Sequence, residues 1–573
     1  MSIESDQSSG ESPVSGGEAG VFAVPASAAQ QRFWLVDQTS ATRALYNTPV
    51  VYRVSGPLDV DALRRSFAGL VQRHESLRTT FAERDGVLTQ RIAPTGSVPL
   101  RVVAASSDPA VWLSAVRAEI TVPFDLARGP LMRAAVIQLD ADDHVLVITG
   151  HHVIFDGWSE TVLFDDLEAL YAAARSGEAA RLPELAVQYA DFAVWQAQAV
   201  PSDAIERSLD YWRRQLGDLA TLALPSDRPR PRQPTMAGAL RELAVPPSTT
   251  AAIRALARRC GTTTFVVTAA AFQALLQRYT GQGDIPIGVI TSGRTRSEVE
   301  RLIGCFINTI VLRGDLSDDP NFVELVRRTG AATLEAHKHT DAPFERVVEA
   351  LGVHRDPSRH PLFQVLFNFS PVGRVRRTFA GLSLTRMPID TGLAKFDLTL
   401  ELAEVGDELC GSIEYSSELF DAPTIDRLIS HFTALLEGAA QSPETPVSAL
   451  PMLTPTEREQ LLAGWHEPST VEARHETVVA LFAAQAARTP DAPAVVCGDD
   501  VLTYADVRRA ASRLAHRLQT QHGVRPGARV GLSVERSAAM VPALLGILAT
   551  GAAYVPLDPA YPTDRLAFMR EDA

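Results

Sequence analysis

The segment between Val145 and Ala174 constrains the fold more than any other part of the sequence. Val145 to Ile148 is a continuous apolar run, as expected of a strand that is covered on both faces. Ser159 can then cap a helix whose apolar residues recur at helical spacing: Leu163, Leu167, Leu170 and Ala174. A buried strand that leads at once into an amphipathic helix predicts an α/β fold.

Polar residues occupy the connection between this strand and this helix. The sequence there is TGHHVIFDGWSE, from Thr149 to Glu160. If the strand continues through His151 and His152, the two rings point to opposite faces, because side chains alternate along a strand. Only one ring can then enter a given cleft, while the other serves the scaffold.

Asp156 and Gly157 end the connection. The aspartate can orient a histidine or pair with an arginine, and the glycine tolerates the backbone angles of a tight turn. The pattern fits catalysis at a strand end, and it also fits a turn whose polar side chains satisfy the local backbone. A metal site is disfavoured, because neighbouring strand residues diverge and the sequence offers no evident third ligand.

A histidine in this place suits proton transfer from an amine. Its unperturbed pKa is about 6.5, so it is a weaker base than an amine of pKa about 8 by only about 2 kcal/mol. The ring can take the proton as the nitrogen attacks, or simply hold the amine in line. Positioning alone removes several kcal/mol from a barrier, so loss of the ring need not abolish the reaction.

Length, charge and cysteine content exclude several classes of protein. A chain of 573 residues is too long for one core, and roughly 3–4 domain-sized units are expected. The net charge of −14 argues against nucleic acid as a partner. The four cysteines lie far apart, which indicates a reduced, cytoplasmic protein without a disulfide frame or zinc site. No stretch is apolar enough to predict a membrane span, and the N-terminus lacks a signal-peptide pattern.

Changes in composition predict five segments. A Ser/Gly-rich lead, predicted to be disordered, comes before two blocks of mixed helix and strand, a Pro-rich linker and a third block. The third block ends within a helical pattern, so we expect an incomplete domain. In chain order the boundaries are 1–21, 22–200, 201–445, 446–475 and 476–573.

The HHVIFDG stretch resembles the HHxxxDG motif of the condensation domains of nonribosomal peptide synthetases. Six further stretches match that family in its order: SAAQQRFWL, RHESLRTTF, YADFAVWQ, IGCFINTIVLR, HTDAPFERVV and RDPSRHPLFQVLFNF. In the third block, LTYADVRRAASRLAHRL and ILATGAAYVPLDPAYP resemble the first two motifs of an adenylation domain. The phosphate loop of that family is not reached, so we expect no adenylation activity from this block.

The resemblance implies a fold, a reaction and partners. The fold is α/β, with two lobes like chloramphenicol acetyltransferase set in a V, plus the partial α/β segment of the adenylation domain. Donor and acceptor carrier proteins dock at the two ends of a tunnel and deliver 4'-phosphopantetheine arms. The α-amine of the acceptor attacks the donor thioester. No directly bound cofactor and no metal are implied, and the full adenylation domain of the same module is a further partner.

The resemblance also assigns roles to the residues of the motif. His152 is the second histidine, which we expect to contact the attacking amine, and His151 and Asp156 are its structural companions. Gly157 is expected to lend a backbone N–H to the developing oxyanion.

Residues outside the motif support it. Arg294 is our candidate for the arginine that holds the motif aspartate from the other lobe, with Arg296 as the neighbouring alternative. Asn308 either lines the donor side of the tunnel or serves as a buried turn residue, and Trp158 and Ser159 are expected to support substrate or structure. The remaining motif side chains are expected to pack and to brace the lobes: Gln30, Arg32, Trp34, Trp195, Phe344 and Phe363.

One position departs from the family pattern. Methionine or leucine often precedes the two histidines, whereas Gly150 stands here. A wider pocket or a looser strand end is one interpretation, with an unusual acceptor or extra chemistry such as dehydration. Neutral drift is the other.

Several functions are left open by the resemblance. His151 argues against a heterocyclising domain, and the adenylation start that follows argues against epimerisation and against a stand-alone acyltransferase. Peptide-bond formation is the favoured function. The alternatives are a starter domain that joins a fatty acyl group to the first amino acid, and a non-catalytic domain that only recruits carriers or partners.

Overall fold

The structure is a computed structural model that describes residues 20–40, 42–199, 201–353, 356, 358–370, 376–464 and 477–573. The predicted disordered lead lies outside the described residues except for its last two positions. The chain divides into two compact units, Met1–Arg458 and Glu459–Ala573. Each unit is described by itself below.

Helices and strands alternate through the first half of the first unit, as the pattern at residues 145–174 predicts. The elements are β1 (Phe22–Pro25), α1 (Ala28–Thr39), β2 (Asn47–Ser55), α2 (Val60–Arg73), β3 (Thr79–Arg84), β4 (Val87–Ile92), β5 (Leu100–Ala104), α3 (Pro109–Ile120), β6 (Met132–Asp140), β7 (Asp143–His151), α4 (Gly157–Ser176), α5 (Tyr189–Ala199) and α6 (Ser202–Leu216).

The second half of this unit continues the mixture. Its elements are β8 (Gly238–Val245), α7 (Pro247–Arg259), α8 (Thr264–Thr280), β9 (Asp284–Thr291), β10 (Asn308–Asp315), α9 (Phe322–Lys338), α10 (Phe344–Leu351), β11 (Val365–Phe369), β12 (Arg376–Phe379), β13 (Leu382–Arg386), β14 (Leu398–Val405), β15 (Glu408–Ser416), α11 (Ala422–Gln441) and α12 (Pro455–Glu459).

The first large sheet has the order β12-β13-β2-β7-β6-β5, and only its β5–β6 pair is parallel. β7 lies inside this sheet and is covered on both faces. Val145 and Val147 pack in a cluster with α3, whereas Leu146 and Ile148 pack in a cluster with α2 and α4. This double coverage is the physical reason for the continuous apolar run, and the predicted α/β class is confirmed.

The second large sheet has the order β10-β9-β11-β14-β15-β8. Its strand β11 is parallel to both neighbours, and the other pairs are antiparallel. Helices α7, α8, α9 and α11 contribute to one core cluster with this sheet. In α8 the residues from Val266 to Leu276 are all buried, as expected of a helix inside such a layer.

Two strands of the second half belong to the first sheet. β12 and β13 form a hairpin, and β13 pairs antiparallel with β2, so that Leu384 lies opposite Val54. Phe379, Leu382 and Leu384 are buried in the cluster of the first sheet. The pairing covers the edge of β2, which would otherwise expose unpaired backbone groups. Two strands from the predicted second lobe, residues 201–445, thus pair with the first sheet.

The second unit contains a small α/β arrangement. Its elements are α13 (Val478–Arg488), β16 (Pro493–Cys497), β17 (Asp500–Thr503), α14 (Tyr504–His522), β18 (Arg529–Leu532), α15 (Met540–Ala549), β19 (Ala553–Pro556) and α16 (Thr563–Asp572). β16 and β17 form a hairpin, while β18 and β19 are parallel and are connected through α15. Val507, Ala511 and Leu545 join α14 and α15 in a buried cluster.

Gly288, inside the second sheet, tests how tightly this core is packed. A Cβ atom at this position would lie 2.2 Å from the Phe363 ring, so we expect Gly288→Ala to destabilise the protein by about 1–3 kcal/mol. Gly330→Ala in α9 is the control, because its Cβ meets nothing closer than 3.5 Å. The control should gain up to about 1 kcal/mol. Urea denaturation measures both free energies, and similar values for the two variants would contradict the packing described here.

Candidate active site

Strand β7 and helix α4 hold the turn that carries the two histidines. His151 ends β7, where it lies opposite Asn47 of β2. The N–H of His151 donates to the Leu131 carbonyl over 2.8 Å, and the N–H of His152 donates to the Tyr46 carbonyl over 2.9 Å. Backbone hydrogen bonds from two sides therefore fix the main chain of both histidines.

Asp156 caps the helix that follows, whereas Ser159, the expected cap, is the third residue of that helix. Its Oδ1 accepts hydrogen bonds from the backbone N–H of Ser159 at 2.8 Å and from the Ser159 hydroxyl at 2.7 Å. The side chain is fully buried. An N-cap of this kind satisfies one of the four N–H groups that a helix leaves without an internal partner.

Arg294 pairs with Asp156 from the second half of the unit. Its Nη2 donates to Oδ1 at 3.0 Å, and both side chains are at most 1% exposed. Its Nη1 donates to the carbonyls of Val299 and Leu302, at 2.6 and 2.9 Å. The guanidinium also lies 4.0 Å from the centre of the Phe306 ring. The contact that the sequence analysis expected is thus present.

Arg296, the alternative candidate, does not reach Asp156 in this way. Its guanidinium lies 4.5 Å from the centre of the Trp195 ring. The two arginines are only two residues apart, yet they contact different partners. Which of them reaches Asp156 depends on the path of the chain after β9, and the sequence pattern does not determine that path.

Residues 300–306, which we call the bridging segment, attach the second half to the first. The N–H of Phe306 donates to Asp156 Oδ2 at 3.0 Å, and the N–H of Gly304 donates to the Ser159 hydroxyl at 3.1 Å. Three more side chains of the first half donate to carbonyls of this segment: Trp158 to Glu300 at 3.0 Å, Ser76 to Ile303 at 2.7 Å and Tyr189 to Cys305 at 2.5 Å. Trp158 and Ser159 therefore brace the two halves.

His151 is buried away from the cavities. It is 1% exposed, and its Nδ1 accepts a hydrogen bond from the Val153 N–H at 3.1 Å, which places the ring proton on Nε2. Burial, with a smaller contribution from the charge of Lys395, lowers the pKa of His151 to about 3. The ring stays neutral at physiological pH, as its predicted scaffold role requires.

His152 faces the other way and lines a cavity. Its ring stacks on Phe33, with 4.7 Å between ring centres and an angle of 10° between the planes. The Tyr46 ring lies edge-on at 6.3 Å. Loss of hydration, and then the charge of Lys395, hold the pKa of His152 well below its usual value. The ring is therefore neutral at pH 7, and the lowered pKa makes it a weaker base than a free imidazole.

Two cavities lie beside these elements. The first, of about 280 Å³, is lined by residues of both sheets, among them Asn47, His152, Lys395, Glu401 and Glu414. The second, of about 370 Å³, is lined among others by Phe192, Trp195, Ser292, Arg294 and Asn308. His152 lines the first cavity, whereas Arg294 and Asn308 line the second.

Asn308 is the first residue of β10, and its side chain binds the segment that precedes α10. Its Nδ2 donates to the carbonyls of Thr340 and Ala342, at 3.1 and 3.2 Å, and its Oδ1 accepts from the Phe344 N–H at 3.1 Å. These bonds fix the start of α10 against β10. The same residue also lines the second cavity, so both the turn role and the lining role are compatible with its position.

Gly157 and Gly150 occupy different surroundings from those expected. Gly157 is exposed at the first position of α4 and lines neither cavity.

Gly150 is buried, and a Cβ there would meet Phe155 at 3.1 Å and Met132 at 3.3 Å. The expectation that Gly150 widens the pocket is wrong, because Phe155 and Met132 already occupy the space beside it.

The other motif residues lie in the core or between the halves. Phe344 and Phe363 are buried in the second cluster. Gln30 is buried and donates to Gln90 Oε1 at 3.1 Å, and Arg32 approaches Glu345 at 3.3 Å. Phe344 and Phe363 thus pack in the core, while Gln30 and Arg32 make polar contacts with other elements.

The charged residues of the first cavity were not predicted from the sequence. Lys395, Glu401 and Glu414 come from the region around β14 and β15, more than 240 positions after His152. The available signal was alternation, since LTLELAEV and SIEYS place single glutamates between apolar strand residues. That pattern also describes an ordinary solvated face, so it did not single out a site.

Metal clusters and membrane spans are both absent from the described residues. Within the ranges given above, no group of three His, Cys, Asp or Glu residues is arranged to hold a metal ion. In the same ranges no helix combines the length and apolar character that crossing a membrane requires.

The buried pair of Asp156 and Arg294 should be important for stability. We expect Asp156→Ala to lower the free energy of unfolding by about 3–5 kcal/mol, because it leaves the arginine buried without its counter-charge. Asp165→Ala is the matched control in the same helix, since this exposed residue pairs with Arg377. The control should cost less than about 1 kcal/mol. Denaturation curves that shift equally for both variants would contradict this account.

Comparison with known proteins places the chain in a family. The family model for condensation domains matches residues 23–462, and the model for AMP-binding enzymes matches residues 482–573. One of the linear gramicidin synthase proteins of Brevibacillus parabrevis is 42% identical over 560 residues, which are 96% of this chain and 11% of that protein. The chain thus spans about a tenth of the length of this curated relative.

Solved structures agree with the fold. A four-domain nonribosomal peptide synthetase bound to AMP and glycine matches with a TM-score of 0.80 and 24% identity, covering 97% of this chain and 43% of that chain. The X-domain from teicoplanin biosynthesis matches with a TM-score of 0.68 and 30% identity, covering 75% of this chain and 97% of that one. The predicted fold class is confirmed. The chain belongs to the condensation-domain family of nonribosomal peptide synthetases and continues into a partial AMP-binding segment.

Proposed function

We propose that the first unit forms an amide bond between a donor acyl or peptidyl thioester and the α-amine of an acceptor aminoacyl thioester, with each substrate bound to a carrier protein. The observation that carries this proposal is the placement of His152. Its neutral ring lines a cavity between the two sheets, while the rest of its motif is fixed by hydrogen bonds. We assign the proposed chemistry to this unit alone.

The reaction needs one proton transfer, for which His152 is a neutral acceptor, although its lowered pKa widens the gap in basicity to the attacking amine. The nitrogen of the acceptor amine attacks the thioester carbon, and the carbonyl oxygen takes up negative charge. The amine proton moves to the imidazole, the C–S bond breaks as the carbonyl re-forms, and the thiolate recovers the proton as a thiol. A neutral ring accepts this proton at pH 7, whereas an imidazolium could not.

Rigidity around the ring supports a positioning role as well. Phe33 stacks on one face of His152, Tyr46 stands at its edge, and the backbone of the turn is bound on both sides. A fixed ring can hold the amine in line with the thioester carbon. Alignment of two reactants in this way removes several kcal/mol from a barrier without any change in the chemistry.

The 4'-phosphopantetheine arms enter this proposal as parts of the substrates, brought by donor and acceptor carrier proteins. The second cavity offers hydroxyl groups of Ser292 and Thr295 beside the aromatic rings of Phe192 and Trp195. A chain of alternating amide and methylene groups suits a lining of this mixed character. The adenylation domain of the same module is the proposed source of the acceptor aminoacyl group.

Two alternatives remain distinct from this proposal. A starter domain would transfer a fatty acyl group, and a non-catalytic relative would bind carriers or partners without any transfer. The retained motif and the cavity beside His152 favour catalysis over recruitment alone. Intact-mass analysis of the acceptor carrier separates the three functions, since it gains a peptidyl mass, a fatty acyl mass or no mass.

Substitution of His152 tests the mechanism. We expect His152→Ala to lower the single-turnover rate of condensation by about 10²–10⁴-fold, with the fold retained. His152→Gln keeps a hydrogen-bonding side chain that cannot take a proton. A Gln variant as slow as Ala indicates that His152 is the base, and a Gln variant that recovers most of the rate indicates positioning.

The pH dependence of the wild-type condensation rate is the reference for the His152→Ala and His152→Gln variants. Because the pKa of His152 is lowered, its ring stays neutral as the pH falls through 6.5, so no loss of rate should start there from the imidazole. The acceptor amine, with a pKa of about 8, should set the fall in rate towards acid pH. If His152→Ala were as fast as the wild type, His152 would have no role in the reaction.

Gly157 allows its proposed oxyanion role to be tested without disturbing the helix. Proline is well tolerated at the first position of a helix, so Gly157→Pro removes the backbone N–H and adds its ring at an exposed position. If that N–H donates to the oxyanion, the Pro variant should be slower by about 10²–10³-fold. Gly157→Ala is the control, because its Cβ meets nothing within 4 Å and it keeps the N–H. Equal rates in both variants would remove Gly157 from the mechanism.

A further inference from the structure

Lys395 places an ammonium group in the lining of the first cavity. Its Nζ lies 5.5 Å from the centre of the Tyr46 ring, and among the described residues it makes no hydrogen bond and no direct ion pair. The other cation of this lining, Arg386, donates to both carboxylate oxygens of Glu160, at 2.9 and 3.1 Å. Arg386 is therefore held in place by the protein, whereas the ammonium of Lys395 can donate to a substrate.

Two carboxyl groups of the same lining lie near Lys395 without binding its ammonium directly. The Glu414 Oε1 accepts a hydrogen bond from the backbone N–H of Lys395 at 3.4 Å, so the main chain holds that carboxyl. Burial raises the pKa of the Glu401 carboxyl, and of the cations that oppose this rise Arg386 acts more strongly than Lys395. These carboxyl groups moderate the positive charge of the cavity, and they leave the N–H donors of the ammonium for another acceptor.

Lys395 and His152 line the same cavity and share a neighbour. The Tyr46 ring, 5.5 Å from Nζ, meets the His152 ring edge-on with 6.3 Å between the ring centres. Burial lowers the pKa of His152, and the charge of Lys395 lowers it further, with a larger effect than that of Arg32. The ammonium is thus close enough to act on charge that develops beside this histidine.

A cation beside His152 has opposite effects on the two charges of the proposed reaction. Transfer of the amine proton makes the imidazole positive, which the charge of Lys395 opposes. Attack on the thioester makes the carbonyl oxygen negative, which the same charge favours. Gly157, whose N–H was expected to serve this oxygen, lines neither cavity. The cavity is therefore better suited to stabilise an oxyanion through Lys395 than an imidazolium at His152.

The residue type at this position is rare in the chain. Of the 54 lysine and arginine residues only two are lysines, Lys338 and Lys395. An ammonium is a compact charge on a flexible stem, whereas a guanidinium presents a rigid planar fork that matches a carboxylate. The compact group suits an acceptor that is a single oxygen atom, as the oxyanion of a thioester is.

We propose that Lys395 is a catalytic residue that donates a hydrogen bond to the oxyanion formed when the acceptor amine attacks the donor thioester. The assignment rests on the proposed function, because this oxyanion exists only if the first unit condenses the two substrates. The lysine proton is not transferred. Negative charge builds on the carbonyl oxygen as the C–N bond forms, and it leaves with the sulfur as the C–S bond breaks. His152 then aligns the amine and passes its proton to the thiolate.

Two derivatives of amino-pantetheine, in which an amine replaces the thiol, separate the neutral from the charged state. The acetamide is planar and neutral, whereas the methylphosphonamidate is tetrahedral and carries a charged oxygen. Because the chain has only two lysines, ¹³C-lysine labelling of the full chain gives two sets of NMR signals, and Lys338→Met assigns them. We expect the methylphosphonamidate, and not the acetamide, to shift the Lys395 signals, and to bind at least about tenfold more tightly.

A substitution connects this preference to the rate. Lys395→Met removes the charge and keeps a long side chain, and it should lower the single-turnover rate of condensation by about 10²–10³-fold. It should also lower the ratio of methylphosphonamidate to acetamide binding by about tenfold. Lys338→Met is the matched control, since this exposed lysine of α9 pairs with Glu335, and it should change neither quantity. A general loss of folding weakens both probes together and leaves their ratio unchanged.

Three results would overturn the assignment. The first is a wild-type chain whose Lys395 signals do not respond to saturating methylphosphonamidate, and this measurement needs no variant at position 395. The others are a Lys395→Met rate equal to that of the wild type, or an equal weakening of both probes, which would indicate that Lys395 holds the substrate without stabilising the charge. Failure of the proposed function looks different, because the wild type would then form no condensed product from any carrier-bound pair, even where the Lys395 signals respond.

Discussion

The buried contact between Asp156 and Arg294 organises much of the first unit. Asp156 caps α4, and the same carboxylate holds an arginine and a backbone N–H from the second half of the chain. A carboxylate in this place is costly to bury, and it is stable only because every part of it has a partner. The placement of His152 follows, because the turn between β7 and α4 has its end fixed by this contact.

The histidine pair illustrates how much the sequence can predict. The apolar run before it and the alternation of side chains predict one buried ring and one ring in a cleft, and His151 and His152 have these positions. The strand nevertheless ends at His151, and Asp156 caps the following helix in place of the expected Ser159. These features are local, because they depend on residues within one strand and one helix. The family resemblance added Arg294, which lies 138 residues from its partner and which no local pattern identifies.

Features that depend on distant strands were not predicted. The acidic wall of the first cavity consists of alternate residues of β14 and β15, and alternation alone does not reveal whether such a face meets solvent or another sheet. Gly150 shows the same limit on a smaller scale. Whether its missing side chain opens a pocket depends on Phe155, which folds back against it, and the sequence does not contain that geometry.

The hairpin of β12 and β13 has a consequence for rearranging such proteins. The chain builds most of the first sheet, passes through the second, and then returns to complete the edge of β2 before closing the second sheet. If the residues before about position 200 came from one condensation domain and the later residues from another, β2 would pair with a β12–β13 hairpin from the other protein. Residues 376–386 should therefore travel with the N-terminal half, although they are distant from it along the chain.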